Sequence, residues 1–228
     1  MKPRQLLLFV EGQGDRLAVP ILVKRLLKER ACQDVLVVAP NPWAVGEFSS
    51  LRRDDYAEWK RYLNTAIKKQ GMEACLLLID GDAPPSKGES FCAKKAAHEL
   101  AIVAQNRGAG RQFTAAVVFA NLEFESWLIA GASSLAGKSL LDGSVSFPKN
   151  FGPPPGDIEL APRDAKGFFK KALSGGYRQT HHQAAIAELV DLNAIRQQNL
   201  RSFRRLENAI DEIVEAFRGN RHVVSPIF

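Results

Sequence analysis

Three cysteines, Cys32, Cys75 and Cys92, are all that the 228 residues contain, and no two form a CxxC pair. That excludes a disulfide-stapled scaffold and a cysteine-built zinc site, and it fits a reducing cytoplasm. Histidine is nearly as scarce, at four. His181 and His182 are adjacent, so on a helix they point about 100° apart and cannot readily share one metal; His98 and His222 have no obvious partner. No window approaches the ~18–20 apolar residues of a membrane span. The basic start and short apolar run of MKPRQLLLFVEGQGD meet Glu11 rather than a small-residue cleavage site, so the run reads as a strand and not as a signal peptide.

What remains is ordinary globular material, 46% apolar and 25% charged, with a formal net charge of +6. Such a basic balance is compatible with a polyanionic partner without demanding one.

Apolar runs at 5–10, 34–40, 74–79 and 113–120 alternate with helical patterns over 16–30, 54–69 and 89–105. Continuous apolar strands alternating with helices predict an α/β fold with a parallel sheet covered on both faces. The expected organisation is an α/β core over 1–130, an irregular Gly/Ser/Pro-rich insertion or lid over 131–163, and a helical extension over 164–228 packed on the core. Helices are predicted in 164–173, 181–190 and 203–217, the last with Leu206, Ile210, Ile213, Val214 and Phe217 at helical spacing.

The stretch CLLLIDGDAPPSKG puts Asp80 and Asp82 at the end of an apolar run. Asp-Gly between apolar runs is a hairpin signal, but a hairpin needs a second strand directly after the turn. Here Ala-Pro-Pro-Ser-Lys-Gly and a helical segment follow. In open parallel sheets, ligands bind beyond the carboxyl ends of the strands. Two carboxylates two residues apart in extended chain point the same way, and hard oxygen ligands suit Mg²⁺ or Mn²⁺. Glu11 ends the first strand, and Glu123 and Glu125 follow the fourth. Each alone is a solvated or capping charge; three acidic strand ends in one small sheet describe a metal site with a carboxylate to spare for proton transfer.

Two phosphate-binding patterns are weaker. Gly12-Gln13-Gly14 lacks the third glycine of a dinucleotide loop, and Glu11 would repel a pyrophosphate. ASSLAGKS, with Lys138, resembles a phosphate loop but follows a helix instead of a strand.

With VEG ending strand one, hydrophobics before DxD at a later strand, and ExESWL after the next, the chain resembles the Toprim catalytic domain of topoisomerases, primases and OLD nucleases. It is similar in pattern to a bacterial Toprim-like family related to OLD-type and RloB-like nucleases. YRQTHHQAAIAEL (177–189) and RSFRRLENAI (201–210) extend the likeness over most of the chain, although only DxD and ExESW are specific. The resemblance implies a Toprim-like Rossmannoid sheet and a nuclease using Mg²⁺ or Mn²⁺. Glu11, Asp80, Asp82 and Glu125 would be catalytic, and these four with Glu123 would be metal ligands. It further implies DNA or RNA as partner, an anti-phage role, and an ABC-type ATPase beside it. One departure stands out: Gln179 occupies the place of an expected Lys, with Arg178 beside it, which leaves open a noncatalytic scaffold that binds an ATPase or nucleic acid. Basic residues for nucleic-acid contact are Lys166, Lys170 and Lys171 on one predicted helix, Arg178, and Arg204 and Arg205 near Arg201 on another; a solvated face explains them equally well. A homodimer is the base-rate expectation.

Overall fold

A computed structural model of the chain describes residues 4–82, 91–140, 143, 145–160, 164–174 and 176–226. In chain order the elements are β1 (Arg4–Val10), α1 (Gln13–Glu29), β2 (Leu36–Val38), β3 (Trp43–Ala44), α2 (Phe48–Ile67), β4 (Met72–Asp80), α3 (Ala93–Asn106) and β5 (Thr114–Ala120). They continue as α4 (Glu125–Ala130), a 3₁₀ turn at Ala132–Leu135, α5 (Ala165–Ala172), α6 (Gln179–Leu189), α7 (Leu192–Gln197), α8 (Arg201–Arg218) and β6 (Val224–Ser225). The strands run in the order β2-β1-β4-β5-β6, all parallel, with β3 pairing the far end of β1. This is the α/β parallel sheet that the apolar runs predict.

Alternation along the central strands assigns the two faces. Leu6, Leu8 and Val10, Leu76 and Leu78, and Val118 and Ala120 face a layer built from α1 and the helices after residue 124. Leu7 and Phe9, Cys75 and Leu77, and Val117 and Phe119 face α2 and α3. The helices from α4 onward therefore complete, with α1, one covering layer of the sheet. Leu140, Val145, Phe147, Phe151 and Ile158, from the stretch that reads as an irregular insertion, are buried in that same layer.

Differences in detail have physical causes. α1 begins at Gln13, earlier than the predicted Arg16, because Asp15 reaches back to accept a hydrogen bond from the N–H of Gly12 at 3.0 Å. Pro20 consequently lies inside the helix, where a lost hydrogen bond costs about 3 kcal/mol; full burial of Leu22, Val23 and Leu26 offsets it. The predicted start of α2 near Asp54 falls on a break, with Asp54, Asp55 and Tyr56 in left-handed conformations. The terminal β6 and the short α7 are unexpected, since two and six residues carry too little periodicity to read. Glu89 and Ser90, at the start of the third predicted helix, lie outside the described residues. No helix among the described residues is long and apolar enough to cross a membrane.

A carboxylate cluster at the strand ends as candidate active site

β4 lies between β1 and β5 and runs parallel to both, so Asp-Gly-Asp is no hairpin turn. Instead the chain leaves the sheet at Gly81, whose N–H donates to the carbonyl of Leu122 at 3.1 Å. A Cβ on residue 81 would stand 2.7 Å from the carbonyl oxygen of Ala120, so only glycine lets the two strand ends come this close. Gly81→Ala should displace Asp80 and lower any activity of the site about tenfold or more, as misplacements near 1 Å do; a rate assay beside an unchanged far-ultraviolet spectrum checks it.

Asp80 occupies the end of the central strand, 8% exposed, with Oδ1 accepting from the N–H of Phe124 at 2.8 Å. The N–H of Asp80 donates to Oε2 of Glu11 at 3.0 Å, which ties the ends of β1 and β4 together. Glu125, in the first turn of α4, is fully buried; Oε1 accepts from the Tyr177 hydroxyl at 3.1 Å and Oε2 has no hydrogen-bond partner. Oε2 of Glu123 is likewise buried and unbonded, with the Lys166 ammonium at 3.8 Å. Asp82 is exposed at the rim, close enough for its charge to bear on Glu11 and Glu123.

The electrostatics follow from crowding like charges in a dry place. Burial, and then the neighbouring charges of Asp15, Glu11 and Glu125, hold the Asp80 carboxyl well above its ordinary range. Burial raises Glu11, Glu123 and Asp15 as well, and pushes Glu125 up to about 7 against the pull of Lys166. Burial alone would lower the Lys166 ammonium, but the carboxylates of Glu125, Glu123, Asp80 and Asp15 hold it above its usual value.

Asp15 belongs to the cluster and was not among the predicted site residues. It sits in the first turn of α1, buried, with its second oxygen taking a hydrogen bond from Gln183 Nε2 at 3.2 Å. Its signal lay in the EGQGD motif, where the glycines drew attention to phosphate. Gly14 serves helix packing instead: a Cβ there would stand 2.5 Å from Gln183 Oε1 and 2.6 Å from Gln179 Cγ. Gln179 thus lies against α1, in a packing role.

Of the predicted basic contacts, Lys166 is in the acidic cluster, while Lys170, Lys171, Arg178 and Arg204 are exposed. Arg205 pairs with Glu212 at 3.3 Å. The phosphate-loop pattern fails locally: Ala132–Leu135 is a 3₁₀ turn after α4, and the described residues directly after the exposed Lys138 form no helix.

Among the described residues, no three His, Cys, Asp or Glu side chains form a ready-made cage for a metal ion. The donor set still fits a hard divalent cation. All its members are carboxylates, two carboxylate oxygens are buried without a hydrogen-bond donor, and the repulsion that raises these groups is what a cation would relieve.

Comparison with known proteins identifies the family. The chain belongs to the family described as Domain of unknown function (DUF4276), which matches residues 10–211. No curated protein and no solved structure matches it.

Proposed function

We propose that this member of the family is a metal-dependent nuclease of the Toprim kind, cleaving phosphodiester bonds in DNA or RNA in the cytoplasm. One observation carries the reading: a buried aspartate at the end of the central parallel strand, ringed by carboxylates from the end of β1, from α1 and from α4, with Lys166 beside them. Purely structural carboxylates seldom accept such mutual repulsion, which costs stability and gains nothing without a cation or a reaction to serve.

Asp80, Asp82, Glu11, Glu123 and Glu125 would hold Mg²⁺ or Mn²⁺, which when bound would polarise the phosphate oxygens and offset charge developing on them. The side chains divide the remaining work. Tyr177 fixes one oxygen of Glu125 and leaves the other facing the site. Glu11 accepts or donates a proton at its second oxygen, since Oε2 is engaged by Asp80 N–H. Lys166 balances the cluster and contacts a phosphate oxygen. Exposed Lys170, Lys171, Arg178 and Arg204 steer the polyanion, so binding should weaken steeply with salt. An anti-phage effector working with an ABC-type ATPase is the setting that the resemblance to OLD-type proteins suggests.

The test is cleavage of plasmid DNA and tRNA with Mg²⁺ or Mn²⁺, comparing wild type with Asp80→Ala/Asp82→Ala. Cleavage should fall at least ~10²-fold in the double variant. A folded wild type that cuts neither substrate would instead favour the noncatalytic scaffold, for which the packed Gln179 is the observation in favour.

A further inference from the structure

The loop 121–124 carries Glu123 toward the acidic cluster, while Asn121 lines a separate cavity of about 650 Å³ between the first turns of α3 and α8. Its floor is apolar, formed by Ala97, Val117, Phe119 and Pro226. Phe119 is braced by Phe48 and Phe91, each with its ring centroid 5.6 Å away. At the rim stands Leu160, 69% exposed, the most exposed large apolar side chain among the described residues.

Among the described residues, the sheet leaves main-chain groups open on this side. β6 pairs with β5 only at Ala115 and Ala116, and Pro226, which has no N–H, follows it. The N–H of Ala115 donates to Val223 on the β6 side, and strand groups alternate in direction, so those of Phe119 point the same way. No strand among the described residues lies beside them.

The wall is cationic. Arg201 is exposed and makes no side-chain pair among the described residues, and Nε of Arg205 is buried without a partner. Glu212 pairs with the end of the Arg205 guanidinium at 3.3 Å, and the two carboxylates that line the cavity are engaged by backbone. Both oxygens of Glu159 accept from the N–H groups of Arg201 and Ser202, at 3.0 and 2.7 Å, and Asp157 Oδ1 accepts from Glu159 N at 2.9 Å.

We propose that this cavity binds one nucleotide of the substrate strand. The base lies on the apolar floor with its donor and acceptor edge at the main chain of Phe119, and the phosphate meets Arg201, with Arg205, itself paired with Glu212, behind it. A planar heteroaromatic with an anionic group is what an aromatic floor, an open peptide edge and guanidinium groups together recognise. The volume falls within the ~300–1,000 Å³ of small-molecule sites. An added peptide strand is a poorer fit, because β5 offers it the outward groups of little more than Phe119. The inference rests on the nuclease reading of the acidic cluster and adds the substrate class. The nucleic acid is single-stranded or unpaired at this point, because a stacked, paired base cannot enter a slot without being flipped out.

The experiment is calorimetric titration of the full chain in EDTA with adenosine monophosphate, inorganic phosphate, and matched single-stranded and duplex oligonucleotides. Cleavage is assayed separately. Adenosine monophosphate should bind more tightly than phosphate, and the single strand more tightly than the duplex. Arg201→Glu and Ala93→Trp, the second placing bulk at the cavity mouth, should each weaken adenosine monophosphate binding at least about tenfold. Either variant suffices if circular dichroism shows that the other has not folded. Adenosine monophosphate no tighter than phosphate, or unaffected by the folded variants, overturns the site. Equal affinity for duplex and single strand overturns the substrate class. Nucleotide binding in a protein that cleaves nothing keeps the cavity and removes the nuclease; metal-dependent cleavage without nucleotide binding does the reverse.

Discussion

In EDTA at a pH of about 8, Glu125→Gln should melt at a higher temperature than the wild type. Glu125 is fully buried, and burial raises its carboxyl from 4.5 to about 7. A group raised on folding stabilises the native state when protonated; that contribution is complete below about 4.5 and is lost as pH rises through about 7. The gap corresponds to roughly 3 kcal/mol, or about 5–10 °C for a chain of this size. Gln retains an acceptor for the Tyr177 hydroxyl and carries no charge to bury. Wild-type melting temperature should therefore fall between pH ~5 and ~8, and the variant should lose the share of that fall that belongs to Glu125. Asp80, held well above its ordinary range, and Glu11, Asp15 and Glu123 are raised in the same direction and should leave the variant a residual slope of the same sign. Mg²⁺ should restore the wild type at high pH and help the variant less. A melting temperature that is flat across this window would refute a charged, strained cluster.

Lys166→Met should act in the opposite sense. The ammonium stands 3.8 Å from Glu123, with its side chain 37% exposed. Solvent screening at that exposure limits the loss to about 1–3 kcal/mol at pH ~8. At pH ~5 the loss should shrink, because Glu125, raised to about 7, is then largely protonated. Mg²⁺ should recover the stability, but the cleavage rate should remain down about 10²-fold if Lys166 contacts the phosphate. Thermal melts at both pH values and a rate assay measure all three. An equal loss at both pH values would assign Lys166 to packing, and full activity would remove it from the mechanism.

Both variants test a site whose outline was readable from strand ends alone. Asp80, Glu11, Glu123 and Glu125 each follow an apolar run by a residue or a few, and a parallel sheet gathers such positions on one edge. Asp15 was missed because its place depends on where α1 begins, and that depends on a hydrogen bond to Gly12. Lys166 looked like part of a basic face with Lys170 and Lys171, because three cations on one short helix give no sign of which one turns inward. Gln183, which holds Asp15, sits 168 residues away in sequence, and nothing in the stretch YRQTHHQAAIAEL around it points to that contact.

Local sequence determined the alternation of strands and helices, the parallel sheet and the acids at its edge. Those rest on apolar periodicity and chain-neighbour chemistry, which act over a few residues. Only the tertiary structure decided that Asp80 is buried while Asp82 is exposed and, among the described residues, that one oxygen of Glu125 has no donor and that β6 pairs only with Ala115 and Ala116 of β5. Burial and charge repulsion depend on what the rest of the fold brings within a few ångströms, through contacts between residues far apart in the chain.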